Sequence, residues 1–373
     1  MHNRIKRIIL LAQALARGSA TETPKNFSKI IVVLTGKLGD VVCCTPVLAA
    51  IRKYKPEVKI IAAGNSKLHK ALLAESGLVD QYLDLDTNRR IEAIRQIKAD
   101  AALVTGPSFT YTAALCAAGV PLVVAPSVVG GYSPSETRPY KLLKKFIKTY
   151  PYGIFEYAPR ERLRALEIIG ITTDDTTKRL AFTSQAERNV QKFFEESEIR
   201  LGQDFVVAIS PTAGNKIKEW PEERFAKVAE HVIEKHNARV VLLGGANDAD
   251  RISVVKSFLK PDTNVVVATQ FNIDELKAFM SQINLFIAVD TGPIYVAEAF
   301  GTPTVDIVGP VDERVQPPRG NIHRNVVPKR EKAELFILNA RAYNEAEAIR
   351  QTLSISVEDV AKVVDELIAD IRK

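Results

Sequence analysis

The sequence predicts an α/β fold built twice, as two doubly wound and mostly parallel sheets. Three observations carry this. Short apolar runs alternate with amphipathic helical patterns from Lys29 onward. The runs are continuously apolar, as strands buried on both faces of a parallel sheet must be. The rhythm stops once and then restarts. A chain of 373 residues has room for two such domains, each with its own core.

The elements follow in order. "KIIVVLTG" is the first strand, and the helical pattern after it ends at "RKYKP", where Pro56 is a stop signal. "VKIIAAG" is the second strand, and "KLHKALLAESG" a helix closed by Gly77. "QYLDLD", "AALVTG" and "PLVVAPS" continue the strands. Between Val129 and Pro159 the rhythm breaks into an irregular segment rich in Gly, Pro, Tyr and basic residues. A helix at "RERLRALEIIGI" and a polar stretch, "TTDDTTKR", mark the junction. The second half repeats the pattern, with "FVVAISP", "ARVVLLGG", "TNVVVAT", "INLFIAVD" and finally "TPTVDIVGP" as strands. Its clearest helix is "WPEERFAKVAEHVIEKH", with Pro221 in the first turn and Glu222 and Glu223 where the helix dipole favours acids. Ser356 caps a C-terminal helix. The expected organisation is a basic amphipathic extension over 1–28, one domain over 29–175, a second over 176–345, and a C-terminal helix over 346–373 that packs back on the first domain.

The formal net charge of +7 favours anionic partners. No basic stretch is interleaved with aromatics on a recognition element, so a nucleic-acid role is disfavoured. Cys43, Cys44 and Cys116 have neither metal-ligand spacing nor an even disulfide count, and read as small apolar fillers of a cytoplasmic protein. The histidines form no H-x-x-x-H pair, so no metal site is expected. No apolar run is long enough to span a membrane. "RIKRIILLAQALARG" places Ile5, Ile8, Ile9, Ala12 and Leu15 at helical spacing, with Arg4, Lys6, Arg7 and Arg17 and no acid before Glu22. Such a helix can lie on an anionic membrane, pack on the protein itself, or form the core of a cleaved leader.

The stretch "LTGKLGDVVCCTPVL" looks like a phosphate loop but fails both phosphate fingerprints. Gly36 and Gly39 do not complete G-x-G-x-x-G, and Leu38 rather than Ser or Thr follows Lys37. What remains is a sharp strand-to-helix turn carrying Asp40, either as a helix cap or as a general base. Lys37 and the helix dipole are favourable neighbours for a carboxylate. The second half offers better anion sites. "AISPTAGNKIKEWP" puts Thr212 and Gly214 in a turn before Lys216 and Lys218. "VDTGPIYVAEAFGTP" ends a strand on Asp290 and opens a helix with Thr291, Gly292 and Pro293. Gly244 and Gly245 make a third loop of the same type. Each signal alone equally suits a cap or a solvated lysine pair. Three such loops in one half, with a carboxylate turn in the other, form a more specific pattern.

In this order the motifs "GDVVCCTPVLAAIRKYKP", "SPTAGNKIKEWPEERF", "VVLLGG" and "VDTGPIYVAEAFGTPTVDIVGP" resemble the heptosyltransferase family, glycosyltransferase family 9. The resemblance covers nearly the whole chain from Lys29. It implies the GT-B architecture, two Rossmann-like domains facing a central cleft. It implies an inverting, metal-independent transfer of heptose from ADP-heptose to an inner-core lipopolysaccharide or related lipid-linked acceptor, with no cofactor beyond the nucleotide-sugar co-substrate. Matched positions make Asp40 the base, Lys218 the diphosphate ligand, and Asp290, Thr291 and Gly292 contacts to sugar and phosphates. Other enzymes of this architecture use other sugar nucleotides or epimerise them, and a non-catalytic glycan or nucleotide binder would keep the same motifs. Tyr295 stands where the family commonly has histidine, so donor contacts are expected to differ. Acceptor-side candidates are Lys37 and Gly39, and Arg138 and Lys141 with Lys144 and Lys145 in the irregular segment. Peripheral attachment to the cytoplasmic face of the inner membrane, through residues 4–17, is a further expectation.

Overall fold

The computed structural model describes residues 2–17, 24, 26–64, 67–261, 263–336, 338 and 343–373. The side chains of Arg4, Ile5 and Lys6, which the sequence reading assigned to the basic amphipathic face, lie outside the described ones. The chain divides into two compact units, the first ending at Arg179 rather than at 175 and also claiming Leu338.

In the first unit the strands are β1 (Lys29–Val33), β2 (Lys59–Gly64), β3 (Gln81–Asp84), β4 (Ala101–Val104), β5 (Leu122–Val129) and β6 (Lys148–Gly153). The helices are α1 (His2–Arg17), α2 (Leu38–Val42), α3 (Thr45–Tyr54), α4 (Lys67–Leu73), α5 (Arg90–Ile97), α6 (Phe109–Ala118), α7 (Arg138–Leu143) and α8 (Ala158–Glu167). All pairings are parallel, in the order β3-β2-β1-β4-β5-β6. The chain runs outward from β1 in one direction and from β4 in the other. The carboxyl ends of β1 and β4 therefore flank the topological switch point, where such sheets bind ligands.

The segment expected to be irregular is structured. It holds α7, a 3-10 turn at Lys144–Phe146 and the edge strand β6. Its prolines and glycines hid the strand, and an edge is where a strand tolerates Pro151. The N-terminal helix is part of the first unit's core, but on an unexpected face. Ala14 is buried, and Leu10, Leu11 and Leu15 pack beside it in the cluster that contains Ala113, Ala114 and Leu115 of α6. Ile8 and Ile9 face outward.

In the second unit the strands are β7 (Phe205–Ser210), β8 (Ala238–Leu243), β9 (Val265–Ala268), β10 (Leu285–Val289), β11 (Thr304–Ile307) and β12 (His323–Val326). The helices are α9 (Ser184–Glu196), α10 (Glu222–His236), α11 (Ala249–Ser257), α12 (Ile273–Met280), α13 (Gly292–Ala299), α14 (Glu345–Ser354) and α15 (Val357–Ile371). The order β12-β11-β10-β7-β8-β9 is again all parallel, with its switch point between β7 and β10. β12 lies beyond the strand read as the last; its sequence, His-Arg-Asn-Val, is too polar to register as apolar. Residues 346–373 hold two helices, most of α14 and then α15. Val360, Val364, Leu367 and Ile368 join the second unit's core with Val228 and Val232 of α10. Burial makes the thiols inert fillers: it pushes Cys44 up, and Cys116 up to about 12.

Candidate active site

Asp40 sits in the first turn of α2, directly beyond β1. Its Oδ2 accepts from the Lys37 backbone N–H at 2.9 Å, which caps the helix. Its Oδ1 accepts from Arg162 Nη2 at 3.0 Å. Asp40 thus caps its helix with one oxygen and pairs with Arg162 through the other. Gly36 is required by this arrangement. Its φ is +96°, and a Cβ there would lie 2.2 Å from Asp40 Oδ2.

Arg162 is the residue that sequence reading missed. It comes from α8, and its side chain is 4% exposed against 25% for Asp40. Glu161 beside it accepts from the Gly153 N–H at 2.6 Å, which fixes α8 to the end of β6. Arg162 lies one helical turn from both Ala158 and Leu166, on the buried stripe of α8. A charge on an apolar stripe is the signal that could have found it. Its Nε and Nη1, and the Tyr152 hydroxyl, are buried without partners among the described residues. These groups and Asp40 line a cavity of ≈ 280 Å³ at the switch point, with Thr35 and Gly106 from the ends of β1 and β4. Buried donors of this kind call for water or a polar ligand. His69 on α4 is also close: burial lowers its pKa, opposed by Gly36 and by the charge of Asp40. Of the acceptor-side candidates, Lys37 and Gly39 belong to this turn, whereas Arg138 and Lys141 sit on α7 and do not line the cavity.

At the second switch point, Lys218 leaves a 3-10 turn after β7 and reaches the end of β10. Its Nζ donates to Asp290 Oδ2 at 2.7 Å and to the Asp290 carbonyl at 2.5 Å. Tyr295 donates to Asp290 Oδ1 at 2.6 Å. Tyr295, on α13, thus occupies the histidine position as a buried donor to the carboxylate. Thr291 begins α13 without a side-chain cap, so the helix start keeps N–H groups for an anion, with Gly292 and Pro293 in its first turn. The Lys218 turn is pinned from several sides. Trp220 is fully buried and donates to the Ile355 carbonyl at 2.9 Å. Thr352 of α14 donates to the Ile217 carbonyl at 3.0 Å, and Arg251 of α11 donates to the carbonyls of Pro211 and Trp220. Thr212 is buried in this turn, while Gly214 and Lys216 are exposed. The Gly244 and Gly245 N–H groups already donate, to Ala268 O and to Asp248 Oδ2.

Asp306 on β11 is the other missed residue. It is fully buried, and neither carboxyl oxygen has a partner among the described residues. Burial, and then the charge of Asp290, push its pKa well up against the opposing Lys218. Its carboxyl is thereby held toward the protonated form. Among the described residues the cluster with metal-type donors is His231, His236 and Asp365. Its histidines are spaced i, i+5 and so do not form the H-x-x-x-H pattern. Lys235 already occupies the same carboxylate at 2.7 Å.

Two all-parallel sheets, each with polar groups gathered at its switch point, define the class: an α/β protein of paired Rossmann-like domains. Residues 91–339 match the family model for glycosyltransferase family 9 (heptosyltransferase). The chain belongs to this family. It is 29% identical over 155 residues to lipopolysaccharide heptosyltransferase 3 of Escherichia coli (strain K12), a match over 40% of this chain and 43% of that one. The matched stretch thus spans less than half of that curated relative. In structure it is similar to a family 9 glycosyl transferase from Veillonella parvula, with TM-score 0.72, 20% identity, and 94% and 99% of the two chains covered. It is also similar to the E. coli ADP-heptose lps heptosyltransferase II, with TM-score 0.71, 15% identity, and 92% and 100% covered. At these identities the structures establish the shared GT-B fold.

Proposed function

We propose that this chain is an inverting glycosyltransferase that moves heptose from ADP-heptose onto a lipopolysaccharide-core or related lipid-linked acceptor. The observation that carries the reading is Asp40, a capped carboxylate paired to a buried arginine at a cavity edge. Each carboxylate oxygen keeps a further lone pair beyond the bond it accepts. Asp40 takes the proton of the acceptor hydroxyl as that oxygen attacks the anomeric carbon and the bond to the diphosphate breaks. Lys218 stabilises the leaving diphosphate. Two of its three N–H groups are given to Asp290, and the third serves a phosphate oxygen, with the α13 N-terminus beside it. This cationic set does the work of a metal ion, so EDTA leaves the rate unchanged. A lipid-linked acceptor makes the enzyme peripheral on the cytoplasmic face of the inner membrane.

The test is a thermal-shift panel with transfer assays. ADP-heptose raises the melting temperature and UDP-sugars do not. Asp40→Asn retains the shift but lowers turnover by roughly 10²–10⁴-fold, the usual worth of a general base. Full activity in that variant overturns the role of Asp40. A shift with UDP-sugars alone overturns the donor.

A further inference from the structure

The outward face of α1 is left over by the fold. Leu10, Leu11, Ala14 and Leu15 supply the packed side. On the other side Ile8 is 67% and Ile9 52% exposed. A helix that needed only to pack on α6 would carry polar residues there. α7 and the 3-10 turn after it repeat the pattern. Tyr140 and Leu143 enter the same core as Ala14, while Leu142 and Phe146 point outward with Arg138, Lys141 and Lys145. α1, α6 and α7 are in mutual contact, so α1 and α7 are neighbours in the first unit.

Neither segment carries an acid. No Asp or Glu occurs between His2 and Arg17, or between Arg138 and Phe155. The nearest acid on the chain, Glu136, is neutralised by Lys144 at 2.7 Å. A second copy of the chain would set like charges against each other. An anionic lipid surface satisfies both features: phosphates for the cations, and an acyl boundary for the isoleucines and the phenylalanine.

We propose that α1 and Arg138–Phe146 form one docking surface for anionic phospholipid bilayers, with Ile8, Ile9, Leu142 and Phe146 entering the interface. This deepens the reading of a lipid-linked acceptor and rests on it, and it moves Arg138 and Lys141 from the acceptor to lipid headgroups.

The full chain is sedimented with vesicles of phosphatidylethanolamine and phosphatidylglycerol, and with vesicles of phosphatidylcholine alone. Binding to the anionic vesicles only is expected, and Ile8→Glu with Ile9→Glu weakens it by about tenfold or more. Phe146→Ser, on the other element, weakens it too and guards against a local defect in α1. Both variants keep the wild-type melting temperature, since these side chains are exposed. No binding to anionic vesicles, equal binding to phosphatidylcholine, undiminished binding by the variants, or a dimer in solution that the double variant abolishes would each overturn the proposal. The ADP-heptose shift is measured on the same samples. Its absence counts against the donor reading and leaves the vesicle result standing.

Discussion

The two switch points use one geometry with the charges exchanged. In the first unit the cation is the inner partner: Arg162 is 4% exposed and Asp40 25%. In the second the carboxylate is the inner partner: Asp290 is 9% exposed and Lys218 16%. A buried ion pair is weak as a source of stability, because desolvation cancels most of the attraction. Its value here is orientation. Each inner charge aims the outer one at the carboxyl edge of its sheet. On the proposed reading, one unit thereby presents a base and the other a cation, the two tools that transfer from a diphosphate needs.

The sharpest way to break the comparison is to remove each outer partner. Asp40→Asn and Lys218→Ala should both cost turnover, by roughly 10²-fold or more each. Only Lys218→Ala should also abolish the ADP-heptose thermal shift. Equal donor binding in both variants would mean that the second switch point is not the donor site.

Removing the groups that hold the carboxylates comes next. Arg162→Met leaves Asp40 partly buried and unpaired, and should lower stability by roughly 1–3 kcal/mol in urea unfolding. Turnover falls with it, because the carboxylate loses its orienter. Stability at or above wild type would make the pair a purely functional device. Tyr295→Phe is milder. It removes one donor to Asp290 while Lys218 remains, at a cost of about 1 kcal/mol, and donor affinity weakens a few-fold. An unchanged affinity would confine Tyr295 to packing.

The parts of this arrangement differ in how far the sequence reveals them. The parallel sheets were legible because "KIIVV" and "LFIAV" are apolar throughout. Turns carrying Asp40, Lys218 and Asp290 were legible because glycines and prolines mark strand-to-helix edges. Their partners were not. Arg162 lies 122 residues from Asp40, and its place on an apolar stripe marks a buried charge without saying which residue it pairs with. The strands β6 and β12 were hidden because edges relax the apolar pattern. The packed face of α1 was misassigned because both of its faces are apolar, and periodicity does not say which one finds α6.

Asp306 gives the smallest effect and the finest test of the exchange. A neutral Asp306 leaves the second site with one cation and one anion, like the first; an ionised one would add an unbalanced charge. Burial raises its pKa above 3.8, so the native state holds a proton that the unfolded chain releases. Stability tied to this group is therefore present below about pH 4 and falls as pH rises toward the native pKa. Asp306→Asn keeps the shape without the acid. Urea unfolding should find the variant more stable than wild type at pH 7.5, with the gain shrinking toward pH 4. Other carboxylates titrate in both proteins and cancel in the difference. A variant less stable by the same amount at both pH values would mean that Asp306 is held by a bond that Asn cannot make, and the charge symmetry of the two sites would fail at that residue.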